Sequence, residues 1–136
     1  MIKTVDSVRI VVFDRTDTSR FLAVMEADDL GNWKLPGGKF EAVGDGRETP
    51  AAAADRELRE EVGLTAEAVG LRAAAELVTD DGAAKRYIFV GTADPAAVKP
   101  SAEVAQVAWL SEATVPEGRN RGHMLAAVAV ARAVRG

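Results

Sequence analysis

Three observations predict an α/β domain. Residues 5–13, 20–26, 85–92 and 103–110 are rich in β-branched and aromatic side chains, with strand length and partial period-two alternation. Two alanine-rich windows, about 50–62 and 122–135, carry helical spacing instead. Asp81-Gly82 separates two strand-like runs as a two-residue hairpin turn. The order strand, strand, helix, hairpin, strand, helix suits a mixed sheet covered by helices.

In VDSVRIVVF, residues 5–13, Val8, Ile10 and Val12 are expected to point inward. A polar turn follows, and RFLAVME, residues 20–26, returns to pair with the first strand. After a loop at 28–32, Trp33 reads as a core anchor. Pro36-Gly37-Gly38 lets the backbone turn tightly and expose its carbonyls. Thr49 is a good N-cap, Pro50 suits the first helical position and Gly63 is a stop, so a helix is expected from about 50 to 62. Residues 69–79 read as a strand, and KRYIFVGT, 85–92, as its hairpin partner. There Tyr87 and Phe89 share one face, Ile88 and Val90 the other. Residues 94–100 form a loop, and EVAQVAWL, 103–110, a strand with Trp109 near its end. The last helix is expected to turn Leu125, Val128, Ala129 and Val134 inward. His123, the single histidine, reads as structural or solvent-facing at that helix start. No repeat or linker divides the chain, so residues 1–136 read as one domain.

Composition narrows the function. Apolar residues make up 48% and charged residues 28%, as in ordinary globular proteins. A net charge of −4 argues against nucleic acid as a partner, which calls for a basic surface. There are no cysteines, which excludes disulfides. No apolar run approaches the roughly 18 residues of a membrane span, and MIKTVDSVRI lacks a signal-peptide layout. The expectation is a cytoplasmic enzyme acting on a small molecule, as a monomer or a homodimer.

The chemistry concentrates in the central helix. Glu57, Glu60 and Glu61 stand at i, i+3 and i+4 and share one face, beside an apolar arc of Ala51, Ala54, Leu58 and Val62. Like-charged neighbours at this spacing repel by a few tenths of a kcal/mol. A divalent cation removes the conflict, and oxygen-only donors suit Mg²⁺ or Mn²⁺. An isolated Glu-Glu pair is usually only a solvated helix face. The whole run, Arg56-Glu57-Leu58-Arg59-Glu60-Glu61-Val62-Gly63-Leu64, has a chance probability on the order of 10⁻⁵ in a chain of this length.

With seven residues separating Glu48 from Arg56, this run resembles the signature of the Nudix hydrolase family, and Leu35-Pro36-Gly37-Gly38-Lys39 resembles the lead-in of its MutT-like members. The resemblance implies an α/β/α sandwich around a mixed sheet. It also implies a Mg²⁺ (or Mn²⁺) site built from Glu57, Glu60, Glu61 and the carbonyl of Gly38. One departure stands out: nine residues rather than five separate Gly38 from Glu48. The extra four fit within 42–47, a small, Gly-rich stretch that tolerates insertion. Family members often carry an arginine at the end of the second strand; Met25 and Glu26 occupy that place. Many also carry a further glutamate before a tryptophan like Trp109, where Glu103 is the available carboxylate.

Hydrolysis of a diphosphate linkage needs a cation to neutralise phosphate oxygens and acidify water, and a carboxylate to take the proton. Glu57 is the assigned base among the three glutamates, with Arg56 and Glu48 in electrostatic support. Lys39 is either a solvated charge or a phosphate contact. Tyr87 and Asn120 are the further substrate-contact candidates, Asn120 because MutT-like proteins use an asparagine near their last helix. The resemblance implies a nucleoside diphosphate-linked substrate. A nucleoside triphosphate is preferred, and ADP-ribose or a nucleotide sugar is the alternative. The rivals are a non-catalytic Nudix-fold module that binds nucleotides and an unrelated Mg²⁺-dependent phosphohydrolase with acidic helices.

Overall fold

A computed structural model describes residues 5–135. Nine strands occur among them: β1 Ser7–Asp14, β2 Phe21–Glu26, β3 Trp33–Lys34, β4 Gly37–Lys39, β5 Ala42–Val43, β6 Gly46–Arg47, β7 Arg72–Val78, β8 Lys85–Ala93 and β9 Val104–Leu110. The helices are α1 Pro50–Val62, α2 Ala66–Val69 and α3 Arg121–Arg135.

The main sheet is mixed. β1 runs parallel to β8 from Ser7↔Arg86 to Asp14↔Ala93. The other edge of β1 is shared: β4 pairs antiparallel with its first residues and β2 meets its end at Phe13↔Phe21. β2 continues antiparallel to β3 and β9, and β7 closes the far edge against β8.

Both faces of the sheet are covered. Val8, Ile10, Val12, Leu22 and Val24 pack with Ala53, Ala54, Leu58 and Val62 of α1. Val11, Phe13, Phe21, Ala23, Ile88 and Val90 pack with Met124, Ala127, Val128 and Ala131 of α3. This is the expected α/β/α sandwich. It explains why β1 is buried at nearly every position, beyond the expected inward set: both of its faces are covered.

α1 forms where the sequence places it. Thr49 Oγ1 accepts from Ala52 N at 3.2 Å, and Gly63 ends the helix at φ 70°. Its buried stripe is Ala53, Ala54, Leu58, Glu61 and Val62, whereas Ala51 is exposed. The expected apolar arc is thus rotated, and a glutamate joins the core-facing side. α3 differs similarly. Met124, Ala127, Val128 and Ala131 are buried, and Ala129 and Val134 face solvent. The stripe follows the 124, 127, 128, 131 spacing because the methionine seats in the α3-side core. The Asp81-Gly82 turn belongs to a longer hairpin loop, closed where Thr79 N donates to Ala84 O at 2.9 Å.

Candidate metal and nucleotide site

The site forms where α1 crosses the turn between β3 and β4. Gly37 has φ 145°, and a Cβ there would lie 2.1 Å from the Val8 carbonyl oxygen. Gly38 permits a second close approach: its missing Cβ would fall 2.5 Å from Glu57 Oε1. The two glycines let the carboxylates of α1 lie directly on the backbone of β4.

The three glutamates of the helix face have different environments. Glu61 is buried, 3% exposed, and its Oε1 accepts from Gly37 N at 3.3 Å. Lys34 Nζ stands 4.0 Å from Glu61 Oε2, donates to Gly37 O at 3.3 Å and pairs with Glu26. Burial pushes the Glu61 carboxyl up to about 8, with Glu57 raising it further and Lys34 opposing. Glu57 is largely enclosed, while the Glu60 side chain is 44% exposed.

Arg56 ties this patch together. Its Nη1 donates to Glu57 Oε1 and to Glu60 Oε2, each at 3.1 Å. Its Nε meets both oxygens of Glu48 at 3.1 and 3.0 Å, and its Nη2 donates to Lys39 O at 3.1 Å. The guanidinium holds the Glu48 carboxyl below its ordinary range, and the surrounding carboxylates raise Arg56 above its own.

The donor set fits a hard divalent cation at two of its three carboxylates. Glu57 and Glu61 repel each other in a desolvated place, which is the conflict a cation relieves. Glu60 is held away by Arg56. Accordingly, among the described residues no three acidic or histidine side chains are gathered closely enough to hold an ion.

The other candidates are distributed around the fold. Lys39 is exposed beside the glycine turn. Tyr87 lies on the α1 face, edge-on to Phe40 at 5.6 Å, with the Arg47 guanidinium 4.1 Å above Phe40. Asn120 lies at the start of α3, where its Nδ2 donates to Trp33 O at 3.0 Å and its Oδ1 pairs with His123 Nε2 at 3.0 Å. Tyr87 and Asn120 are therefore not brought together. Glu103 is exposed, and its carbonyl accepts from Ala27 N at 2.8 Å. Residues 42–47 form the exposed hairpin β5–β6, closed at its base where Glu48 N donates to Glu41 O at 3.0 Å.

Lys34 and Arg9 were not anticipated. Lys34 carried no motif. Arg9 lies on the face of β1 opposite the expected inward set of Val8, Ile10 and Val12, and alternation alone does not show that this second face is covered as well.

The chain matches the family model for the NUDIX domain over residues 3–128, and it belongs to the Nudix family. Nudix hydrolases generally use divalent cations. The fold is similar to that of the NUDIX domain of Shewanella oneidensis NrtR complexed with ADP ribose, with 18% identity, 95% of this chain and 88% of that one covered, and a TM-score of 0.69. It is also similar to a Caenorhabditis elegans Ap4A hydrolase, at 20% identity, 96% and 99% coverage and a TM-score of 0.69. A MutT structure from a study of Aliivibrio salmonicida and Vibrio cholerae shows 24% identity, 90% and 98% coverage and a TM-score of 0.64. No curated protein matches the chain significantly. Among the described residues no helix is long and apolar enough to cross a membrane.

Proposed function

We propose that this protein is a Mg²⁺- or Mn²⁺-dependent pyrophosphohydrolase of nucleoside diphosphate-linked substrates, with a nucleoside triphosphate as its substrate. The observation that carries the reading is Glu61, a buried carboxylate beside Glu57 over the Gly37-Gly38 turn, whose ion pair with Lys34 is long at 4.0 Å. A carboxylate kept there at the expense of packing is suited to a ligand that the fold alone does not supply.

In this proposal Glu57, Glu60, Glu61 and the Gly38 carbonyl would hold the cation. The bound cation supplies neutralisation of the phosphate oxygens and a more acidic water. Glu57 would take the proton from the attacking water. Arg56 fixes the Glu57 carboxylate from one side while Glu48 fixes Arg56. Lys39, exposed next to the turn, contacts a phosphate. Tyr87 and Asn120 lie on opposite faces of the sheet, so each would contact a different part of the substrate.

ADP-ribose is the second reading, favoured by the likeness to a NUDIX domain solved with that ligand. A non-catalytic nucleotide-binding module is disfavoured by the retention of all three glutamates and of the glycine turn. The test is a panel of nucleoside triphosphates, ADP-ribose and nucleotide sugars with phosphate and pyrophosphate detection, with Mg²⁺ and with EDTA. Metal-dependent release of pyrophosphate from a triphosphate is expected. Turnover of ADP-ribose alone moves the assignment to the second reading, and no turnover of any member moves it to the binding module.

A further inference from the structure

The chain contains two Asp-Gly pairs, Asp45-Gly46 and Asp81-Gly82. In such a pair the glycine nitrogen can attack the aspartyl carboxyl carbon, because no Cβ stands in the way and the backbone turns freely. Both pairs lie at hairpin ends, but in different surroundings.

Asp81 is tied down. Its Oδ1 accepts from Thr79 Oγ1 at 2.6 Å and from Ala83 N at 2.9 Å. Gly82 N, the nitrogen that would attack, donates to Thr79 O at 2.8 Å. Thr79 is itself buried, and its Oγ1 also accepts from Ala84 N at 3.2 Å. Carboxyl and nucleophile are thus held in bonds that must break before they can meet.

Asp45 lacks these restraints. It is exposed, and its carboxylate makes no hydrogen bond or ion pair among the described residues. Gly44, at φ 56°, and Asp45 form a two-residue turn closed by the Val43↔Gly46 pair. β5 and β6 have two exposed residues each and form a sheet of their own, apart from the main one. A two-stranded hairpin on its own is marginal in water, so this turn opens without unfolding the domain. A Cβ on Gly46 would meet nothing within 4 Å, so no packing holds the turn closed from outside.

We propose that Asp45-Gly46 is a site of spontaneous covalent modification, converting to isoaspartate in the folded protein, while the fold protects Asp81-Gly82. The Gly46 nitrogen bonds to Asp45 Cγ. The Cγ–O bond breaks, and the oxygen leaves as water with the amide and carboxyl protons, closing a succinimide ring. Water then adds to one of the two ring carbonyls. Opening at Cγ restores aspartate. Opening at the Asp45 backbone carbonyl carbon routes the main chain through the side chain, as isoaspartate. One water leaves and one returns, and nothing is oxidised. The product lengthens the main chain by one carbon inside a two-residue turn, next to Arg47, whose contacts with Asp6 and Phe40 anchor the hairpin.

The full chain is aged at neutral pH and body temperature, sampled over time and cut with trypsin. Cleavage after Lys39, Arg47, Arg72 and Lys85 yields peptides 40–47 and 73–85, each with one Asp-Gly pair. The isomer is read as a second chromatographic peak of unchanged mass that an isoaspartyl methyltransferase labels. In the folded protein it should accumulate in 40–47 at least about tenfold faster than in 73–85, because the rate follows the population of the locally open form. In concentrated urea the two peptides should convert at similar rates. Gly46→Ala, for which there is room, should slow conversion of 40–47 several-fold and leave Tm unchanged. Absence of the isomer from 40–47, or equal rates for the two peptides in the folded protein, overturns the site. A rate difference that persists undiminished in urea overturns the protection by the fold.

Discussion

Glu61 and His123 show how single side chains express the cost of burial. Glu61→Gln keeps the shape and the bond from Gly37 N while removing a desolvated charge. Cation-based stabilisation of several kcal/mol is then lost, so kcat should fall by orders of magnitude at about tenfold per 1.36 kcal/mol. The metal-free variant should melt no lower than wild type, since a repelling buried charge has gone. Glu117→Gln, at a side chain 94% exposed, is the control and should change neither quantity. Unchanged kcat in Glu61→Gln would remove that residue from the site. His123 makes a prediction about pH. Burial, with Arg86 and Arg9 beside it, lowers its pKa from 6.5 to about 4. The unfolded chain therefore binds more protons between these values. The contribution of neutral His123 is fully present above 6.5 and is lost as pH falls toward 4. Thermal melts across that range should show wild type losing more stability on acidification than His123→Gln, and parallel curves would contradict the burial argument.

At the scale of elements, α1 and its glycine turn form one unit and the β5–β6 hairpin is an accessory to it. The hairpin is exposed, and Glu41 and Glu48 close its base. Arg47 anchors it by pairing with Asp6 at 2.9 Å and lying over Phe40. Deleting residues 43–46 keeps that base and Arg47. We expect folding to be retained, with a Tm change of about 5 °C or less, and KM to change more than kcat. Collapse of the fold on deletion would show that these residues are structural. α1 was legible because its caps and its acidic and apolar stripes are local properties of thirteen residues. What covers each stripe was not legible. The period placed Glu61 beside Glu57 and Glu60, but only the crossing of α1 over Gly37 buries it. The rotation of α3 has a similar cause: Met124 and Ala127 face inward because the sheet lies there, and Leu125 packs at the edge of that core, whereas Ala129 and Val134, also expected inward, are exposed.

Across the whole molecule, the sheet separates two polar regions that share one strand. β1 contributes Val8 against Gly38 on the acidic side and, from its other face, Arg9, whose Nε and Nη1 are buried without partners. The α/β class followed from the alternation of short apolar runs and helices; the strand order and the second core did not. The meeting of opposite charges across β1 did not, because it depends on parallel pairing between β1 and β8, seventy-odd residues apart. This arrangement gives the last prediction. The acidic region is assembled only when α1 is docked on β4, so a cation bound there stabilises the folded state and not the unfolded chain. The gain follows RT ln(1 + [L]/Kd), about 2.7 kcal/mol when Mg²⁺ is a hundredfold above Kd. Tm should rise with Mg²⁺ or Mn²⁺, return to its starting value in EDTA, and be insensitive to metal in Glu61→Gln. Activity should vanish in chelator and recover with metal over the concentration range in which Tm rises, because one binding event underlies both. Full activity in excess EDTA would end the metal-dependent reading. A Tm rise of the same size in wild type and Glu61→Gln would place the cation elsewhere on the molecule.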